Sequence, residues 1–367
     1  MSTLSTGPAT GHSAVAERPH RSRRGWPHYL AAAAVPLMIY NVWTVVAWLA
    51  DGPHEITRFR TGEHTRDWYG ARILEGAVVL ISVVVLYKIY QGCRQQRRLW
   101  TFDMLMLLAG ASTWWANGVT NWFNPTWIPS TQFVNVNDPC SYMPLIPNTD
   151  CGLIPYPWLF LLCVESTLLV GFGMMMSWVL AKVRPRMAQL SKPRIWAILL
   201  AGGVACFLGE PLVIIQTGAW IYPGTPISMQ IGPAEYARYP PFPELLIASS
   251  FLALAGGLRY FKDDQGRTVV ERKLEHHSPR AQKVITFMAL YLLAHVNLVG
   301  VATIPLWPMS FHQTPWPVLP ATLNARLCDQ PGGVTDTGRG PCPGSPAYVL
   351  RMPRNGNWWH SGADTNR

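Results

Sequence analysis

The feature that most constrains this chain is a series of long apolar runs separated by polar loops whose positive charge alternates. A helix needs roughly 20 apolar residues to cross a hydrocarbon core. Runs near that length occupy 29–50, 73–90, 102–123, 157–181, 195–216, 245–260 and 284–305. The second and sixth are at the short end. The pattern predicts an all-α integral membrane protein, a bundle of about seven transmembrane helices.

Basic residues test that count, because cytoplasmic loops collect Lys and Arg. The N-terminal tail carries Arg18, Arg21, Arg23 and Arg24, and the second loop carries Arg94, Arg97 and Arg98. The fourth loop runs from Lys182 to Arg194, and the sixth, with its borders, from Arg259 to Lys283. With Lys88, this side holds 20 of the 30 Lys and Arg. The alternate loop 124–156 has none, and the loop 220–242 has only Arg238. A cytoplasmic N-terminus and an outer C-terminus in the cell membrane follow. The net charge of +10 therefore reports topology rather than a nucleic-acid partner.

Three regions are expected: a disordered basic tail at 1–26, a transmembrane domain at 27–309, and an outer tail at 310–367. Arg23-Arg24 before an apolar run resembles an export signal, but no small-residue cleavage site follows, so the first helix is retained. Cysteines follow the same sidedness. Cys140 and Cys151 fall in one outer loop and Cys328 and Cys342 in the outer tail, where disulfides persist, so these are the expected pairs. Cys93, Cys163 and Cys206 are expected as free thiols. The outer loops are dense in Trp, Tyr and Pro, as in Trp122 to Pro129 and Tyr239 to Pro243. Interfacial anchoring explains some of the rings. The prolines predict a stiff aromatic lid.

Ionisable groups at bilayer depth cost roughly 2.5–3.5 kcal/mol on insertion scales and mark functional positions. Glu165, Glu210 and His295 are the candidate catalytic residues. Glu210 precedes Pro211, which frees a backbone carbonyl and bends the helix. Asn41, Asn117, Asn121 and Asn297 are the candidate polar binding groups, although an interhelical hydrogen bond accounts equally for any single Asn. In an α-helix, Asn117 and Asn121 share one face with Thr113 a turn earlier. Counting along each span places most of these groups in the middle or outer half, which predicts one shared pocket. Asp103 is expected to pair with Arg97 or Arg98, and Glu75 with Arg72. Glu244 sits at a helix start and is a further candidate contact. His276-His277 lies in a basic loop and is expected to be solvated.

No Lys lies in the last span for a retinal Schiff base, and P-loop, dinucleotide, H-E-x-x-H and histidine-box patterns are missing from the sequence. No metal site and no cofactor are expected. Paired carboxyls in an apolar site suit general acid/base catalysis through an oxocarbenium ion, and equally suit proton-coupled transport. A terpenoid-type membrane cyclase would use the same acids.

The layout resembles the avermectin-type (AveC-like) spirocyclase family of membrane proteins. The resemblance is carried by Trp114-Trp115-Ala116-Asn117 through Trp122-Phe123-Asn124-Pro125, by Gly209-Glu210-Pro211, and by Gly218-Ala219-Trp220-Ile221-Tyr222-Pro223. It spans residues 27–309. It implies closure of a dihydroxy-ketone polyketide into a 6,6-spiroketal, sometimes with dehydration, on a hydrophobic substrate met in the lipid bilayer. In that setting Glu165 and Glu210 would exchange protons with substrate, the Asn side chains would orient the diol, and Trp114, Trp115, Trp220 and Tyr222 would wall the pocket.

Overall fold

The computed structural model describes residues 25–56, 66–183, 190–231 and 238–311, and in the tail 313, 315–319, 321–324, 327–329, 341–343 and 345. The expected disordered segment at 1–24 lies outside them. The molecule is mostly helical: α1 Trp26–Asp51, α2 Arg66–Gln96, α3 Phe102–Ala111, α4 Trp158–Val183, α5 Lys192–Phe207, α6 Gly209–Thr217, α7 Ala248–Tyr260, α8 Pro279–His295, α9 Trp307–Phe311 and α10 Ala321–Asn324. Every predicted apolar run is helical over part of its length.

Five helical stretches among the described residues are long and apolar enough to cross a membrane: Trp26–Asp51, Arg66–Gln96, Trp158–Val183, Lys192–Leu212 and Pro279–Phe311. The third and sixth runs fall short of that measure. In the third, α3 ends at Ala111, and after a turn the chain continues as a 3-10 helix, Trp114–Asn121. The cause is local. The Ser112 hydroxyl donates to Ala109 O (2.6 Å) and the Thr113 hydroxyl to Gly110 O (2.7 Å), so side chains compete with the helical ladder. The sixth run begins as a π-helix, Phe242–Ile247, before α7. Exposed apolar faces support a lipid environment: α1 presents Ile39, Val42 and Val46 outward, and α2 presents Ile73, Leu80 and Val84.

Helix α4 packs against α2, α3 and α7; α8 packs against α1 and α3; and α5 lies on α7. Starts are set by local chemistry. The Thr101 side chain accepts from Met104 N at the head of α3, and Ser278 accepts from Ala281 N ahead of Pro279 in α8. The break between α5 and α6 precedes Pro211, which has no N–H to return to Phe207. Beyond α8 the chain widens into a π-helix, Val296–Thr303.

One end of the bundle is closed by a cap built from residues 124–157 and 218–231. Strand β1 (Ile128–Pro129) pairs antiparallel with β4 (Trp220–Ile221), and β2 (Val136–Asn137) pairs with β3 (Pro155–Tyr156). Phe133, Tyr156, Trp220 and Tyr222 form its buried aromatic centre together with Leu161 and Met309. The Sγ atoms of Cys140 and Cys151 lie at disulfide distance, and so do those of Cys328 and Cys342. Helices hold the cap down: Glu75 accepts from Val134 N (2.6 Å) and from Arg72 (2.6 Å), as expected for Arg72, and Asp67 accepts from the Ser130 hydroxyl (3.0 Å). Asp103, by contrast, takes a bidentate pair from Arg259 (2.8 and 3.1 Å), not from Arg97 or Arg98. Arg259 is the better partner because α3 and α7 both pack on α4, and its guanidinium fork fits both carboxylate oxygens.

Candidate active site

Beneath the cap lies a cavity of about 310 Å³ lined by two carboxyl groups, Glu165 of α4 and Glu210 of α6. Its walls are apolar, from Leu161, Phe207, Leu252 and Leu298 among others, and its remaining polar lining includes Asn117, Thr120, Tyr222 and Thr303. Trp127 and Trp220 form part of the cap side. A small set of polar groups converging in a greasy cavity is the usual make-up of a small-molecule site.

Glu165 is 5% exposed. The Asn117 amide donates to its Oε1 (3.0 Å), and the Thr113 hydroxyl oxygen, whose proton goes to Gly110 O, lies 3.4 Å from its Oε2. Both residues come from the stretch where α3 gives way to the 3-10 helix. That stretch reaches Glu165 because Gly110 lets the two backbones touch: a Cβ there would sit 2.4 Å from the Glu165 carbonyl oxygen. Glu210 is half-buried and accepts from the Tyr222 hydroxyl (3.3 Å). The Trp220 indole N–H is buried against Glu210 and makes no well-formed hydrogen bond among the described residues.

The other polar residues do not converge on this cavity, contrary to the single shared pocket read from depth. Asn41 and His295 build a separate buried cluster. Asn41 Nδ2 donates to the Tyr291 hydroxyl (2.8 Å) and to Ser112 O (3.2 Å), and lies 3.4 Å from His295 Nε2. His295 Nδ1 faces Tyr291 O at 2.9 Å, and its ring lies 5.9 Å from that of Trp115. Trp114 lies between Trp48 and Tyr156, tilted against the first ring and edge-on to the second, and does not line the cavity either. Asn121 turns away and accepts from the backbone N–H groups of Thr126 and Trp127. Four residues in a 3-10 helix rotate by about 120° beyond a full turn, so Asn117 and Asn121 cannot share a face. Asn297 donates to Phe251 O (2.8 Å) and lines a different groove with Lys192 and Arg272. Of Glu244 the backbone is described, within the π-helix, and its side chain lies outside the described residues.

Thr120, Trp127 and Thr303 were not singled out by sequence, since polar or aromatic residues near a helix end are common. Tyr291 was also missed. Its spacing of four from His295 on one helix was the available signal. Among the described residues, the one grouping of three metal-capable side chains lies elsewhere, at His28, His276 and His277.

The comparison with known families bears on this geometry. The family model described as Spirocyclase AveC-like matches residues 96–318. No curated protein and no solved structure matches the chain. The match starts at the last residue of α2, so it takes in Asn117, Glu165, Glu210, Trp220, Tyr222 and His295 but leaves out Asn41 and Glu75. Since it covers more than half of the sequence, the chain belongs to the AveC-like spirocyclase family.

Proposed function

We propose that the chain closes a dihydroxy-ketone polyketide into a 6,6-spiroketal within the cavity that Glu165 and Glu210 share. The observation that carries this is two carboxyl groups, each held by a side-chain donor, facing one apolar space. The reaction needs a proton donor and a proton acceptor. One substrate hydroxyl adds to the ketone to give a hemiketal. The hemiketal hydroxyl takes a proton from one carboxyl and leaves as water, forming an oxocarbenium ion. The second hydroxyl then adds to that carbon and gives its proton to the other carboxylate. The net change is ring closure with loss of one water, and proton exchange resets the pair.

The Asn117 amide and Thr113 hydroxyl fix Glu165, while the rings of Trp220, Tyr222 and Trp127 face the cation and keep water away from it. Asn41, His295 and Trp115 lie off the reacting atoms in this scheme and hold α1, α8 and the 3-10 segment in register. The basic residues Lys262, Arg267 and Arg272 stand on the loop between α7 and α8, at the end away from the cap. By the positive-inside rule this supports a cytoplasmic position for that end and an outer position for the cap.

The test is incubation of detergent-purified protein with a dihydroxy-ketone precursor. Wild type should give one spiroketal stereoisomer, and Glu165→Gln and Glu210→Gln should each slow it by about 100-fold or more. Unchanged rates in both variants would overturn the carboxyl mechanism. Failure of the wild type on every keto-diol offered would overturn the cyclase assignment.

A further inference from the structure

The end of the bundle away from the cap brings together three imidazoles that the cyclisation does not use. His28 is the third residue of α1, and His276 and His277 lie in the turn before Ser278, which caps α8. Although 249 residues separate them, His28 Nε2 and His277 Nε2 are 2.8 Å apart. One ring nitrogen from each of the three residues lies within 4.8 Å of the others. The ring centroids are 5.7 Å (His28–His276), 5.0 Å (His28–His277) and 4.1 Å (His276–His277) apart.

The approach follows from the fold. α1 packs along α8, and both helices start at this end behind a proline, Pro27 and Pro279. The turn carrying the histidine pair is held by His277 N to Leu274 O (3.0 Å) and by the Gln282 amide on His277 O (2.9 Å). His28 Nδ1 lies 3.3 Å from Gly25 O, and in the tautomer that donates to this carbonyl Nε2 presents a lone pair toward the other rings. A backbone carbonyl on the far nitrogen is the usual way a metal-ligating histidine is oriented.

We propose that His28, His276 and His277 bind one divalent transition-metal ion, with zinc the best fit, and so staple the start of α1 to the start of α8. Imidazoles bound to zinc at about 2.0–2.1 Å in a tetrahedral arrangement put neighbouring ring centroids about 5 Å apart, close to the spacing here. An all-nitrogen donor set selects against magnesium and calcium, which need oxygen ligands. His276 is exposed and the other two rings are half-buried, which leaves room for water as the fourth ligand. Further along the same two helices, Asn41 and Tyr291 make the buried contact described above, so the staple braces a pair that is already joined once. The site is independent of the cyclase scheme.

The test uses the full chain purified without a histidine tag, stripped with chelator and titrated with Zn²⁺ and with Co²⁺. One ion per chain should bind, Co²⁺ should give the visible absorption of a low-coordinate nitrogen site, and Zn²⁺ should raise Tm by several degrees in a chelator-reversible way. His28→Ala and the double variant His276→Ala/His277→Ala should each weaken binding at least tenfold and lose the Tm shift. If the alanine forms do not fold, His28→Gln keeps the bulk without the imidazole and should give the same loss. Absence of stoichiometric binding, as expected if His28 and His277 merely share a proton, would overturn the proposal. Binding that survives in the folded variants would overturn it too.

Discussion

Glu165 is held by two side chains from a single stretch of chain, the Asn117 amide donating to it and the Thr113 hydroxyl oxygen in contact with it. A hydrogen bond to a charged group contributes roughly 1.5–3 kcal/mol, which corresponds to about 10- to 100-fold in rate if the bond tightens at the transition state. Asn117→Leu keeps the side-chain branching and heavy-atom count and removes the donor. It should lower kcat for spiroketal formation by about that factor with little change in KM, as steady-state assays would show. An equal loss in KM would mean that Asn117 binds substrate instead of holding the acid. At this scale the sequence was informative about which residues line the cavity and less so about whom they meet. A carboxylate or amide inside an apolar run stands out by its cost alone, and that singled out Glu165, Glu210 and Asn117. Partners are another matter. Asp103 found Arg259, 156 positions away, over the arginines next to it in sequence, because partner choice depends on which helices pack together.

Between elements, the decisive contact is the approach of α3 to α4 at Gly110. A methyl group there would meet the Glu165 carbonyl oxygen at 2.4 Å, and that oxygen belongs to a backbone that cannot rotate away. Gly110→Ala should therefore push the helices apart, costing about 1–3 kcal/mol as other overpacked contacts do. It should reduce spiroketal formation as well, because Thr113 and Asn117 ride on the displaced segment. Thermal unfolding in detergent together with the turnover assay would check both; full activity with a lowered Tm would show that the carboxylate does not depend on this spacing. Helices α1, α2, α4 and α8 were legible because hydropathy and length report on spanning directly. The change of α3 into a 3-10 helix was not, since it depends on Ser112 and Thr113 turning back on the ladder, and those residues also occur in regular helices. The π-helices at Phe242–Ile247 and Val296–Thr303 left no periodicity to read, and the second determines which residues face the cavity: Leu298, Ala302 and Thr303 line it while Asn297 does not.

For the molecule as a whole, the cap closes one side of the cavity, and Asp138 lies at the joint between cap and bundle. It stands between β2 and the short 3-10 turn Pro139–Tyr142, its Oδ1 accepts from Cys140 N (2.8 Å), and the same oxygen would sit 2.4 Å from a Cβ on Gly118 of the bundle-side 3-10 helix. Its Oδ2 is buried with no hydrogen-bond partner among the described residues. Burial pushes the carboxyl well above the usual carboxylate range, against the opposing pull of the Cys140 N–H. The consequence for stability has a definite sign. Below the unfolded value of about 3.8 both states hold the proton and the group is neutral in its pH effect. As pH rises above that value the unfolded chain releases the proton first, so the folded state loses stability until the pH passes the raised folded value, and then the loss levels off. Asp138→Asn keeps an oxygen for the Cys140 N–H and cannot ionise. The variant should therefore gain in Tm relative to wild type between pH 4 and pH 8, measured in the same detergent. A Tm difference that stays constant over that range would mean that the buried carboxyl is already charged in the folded protein, and that the cap tolerates a negative charge against Gly118.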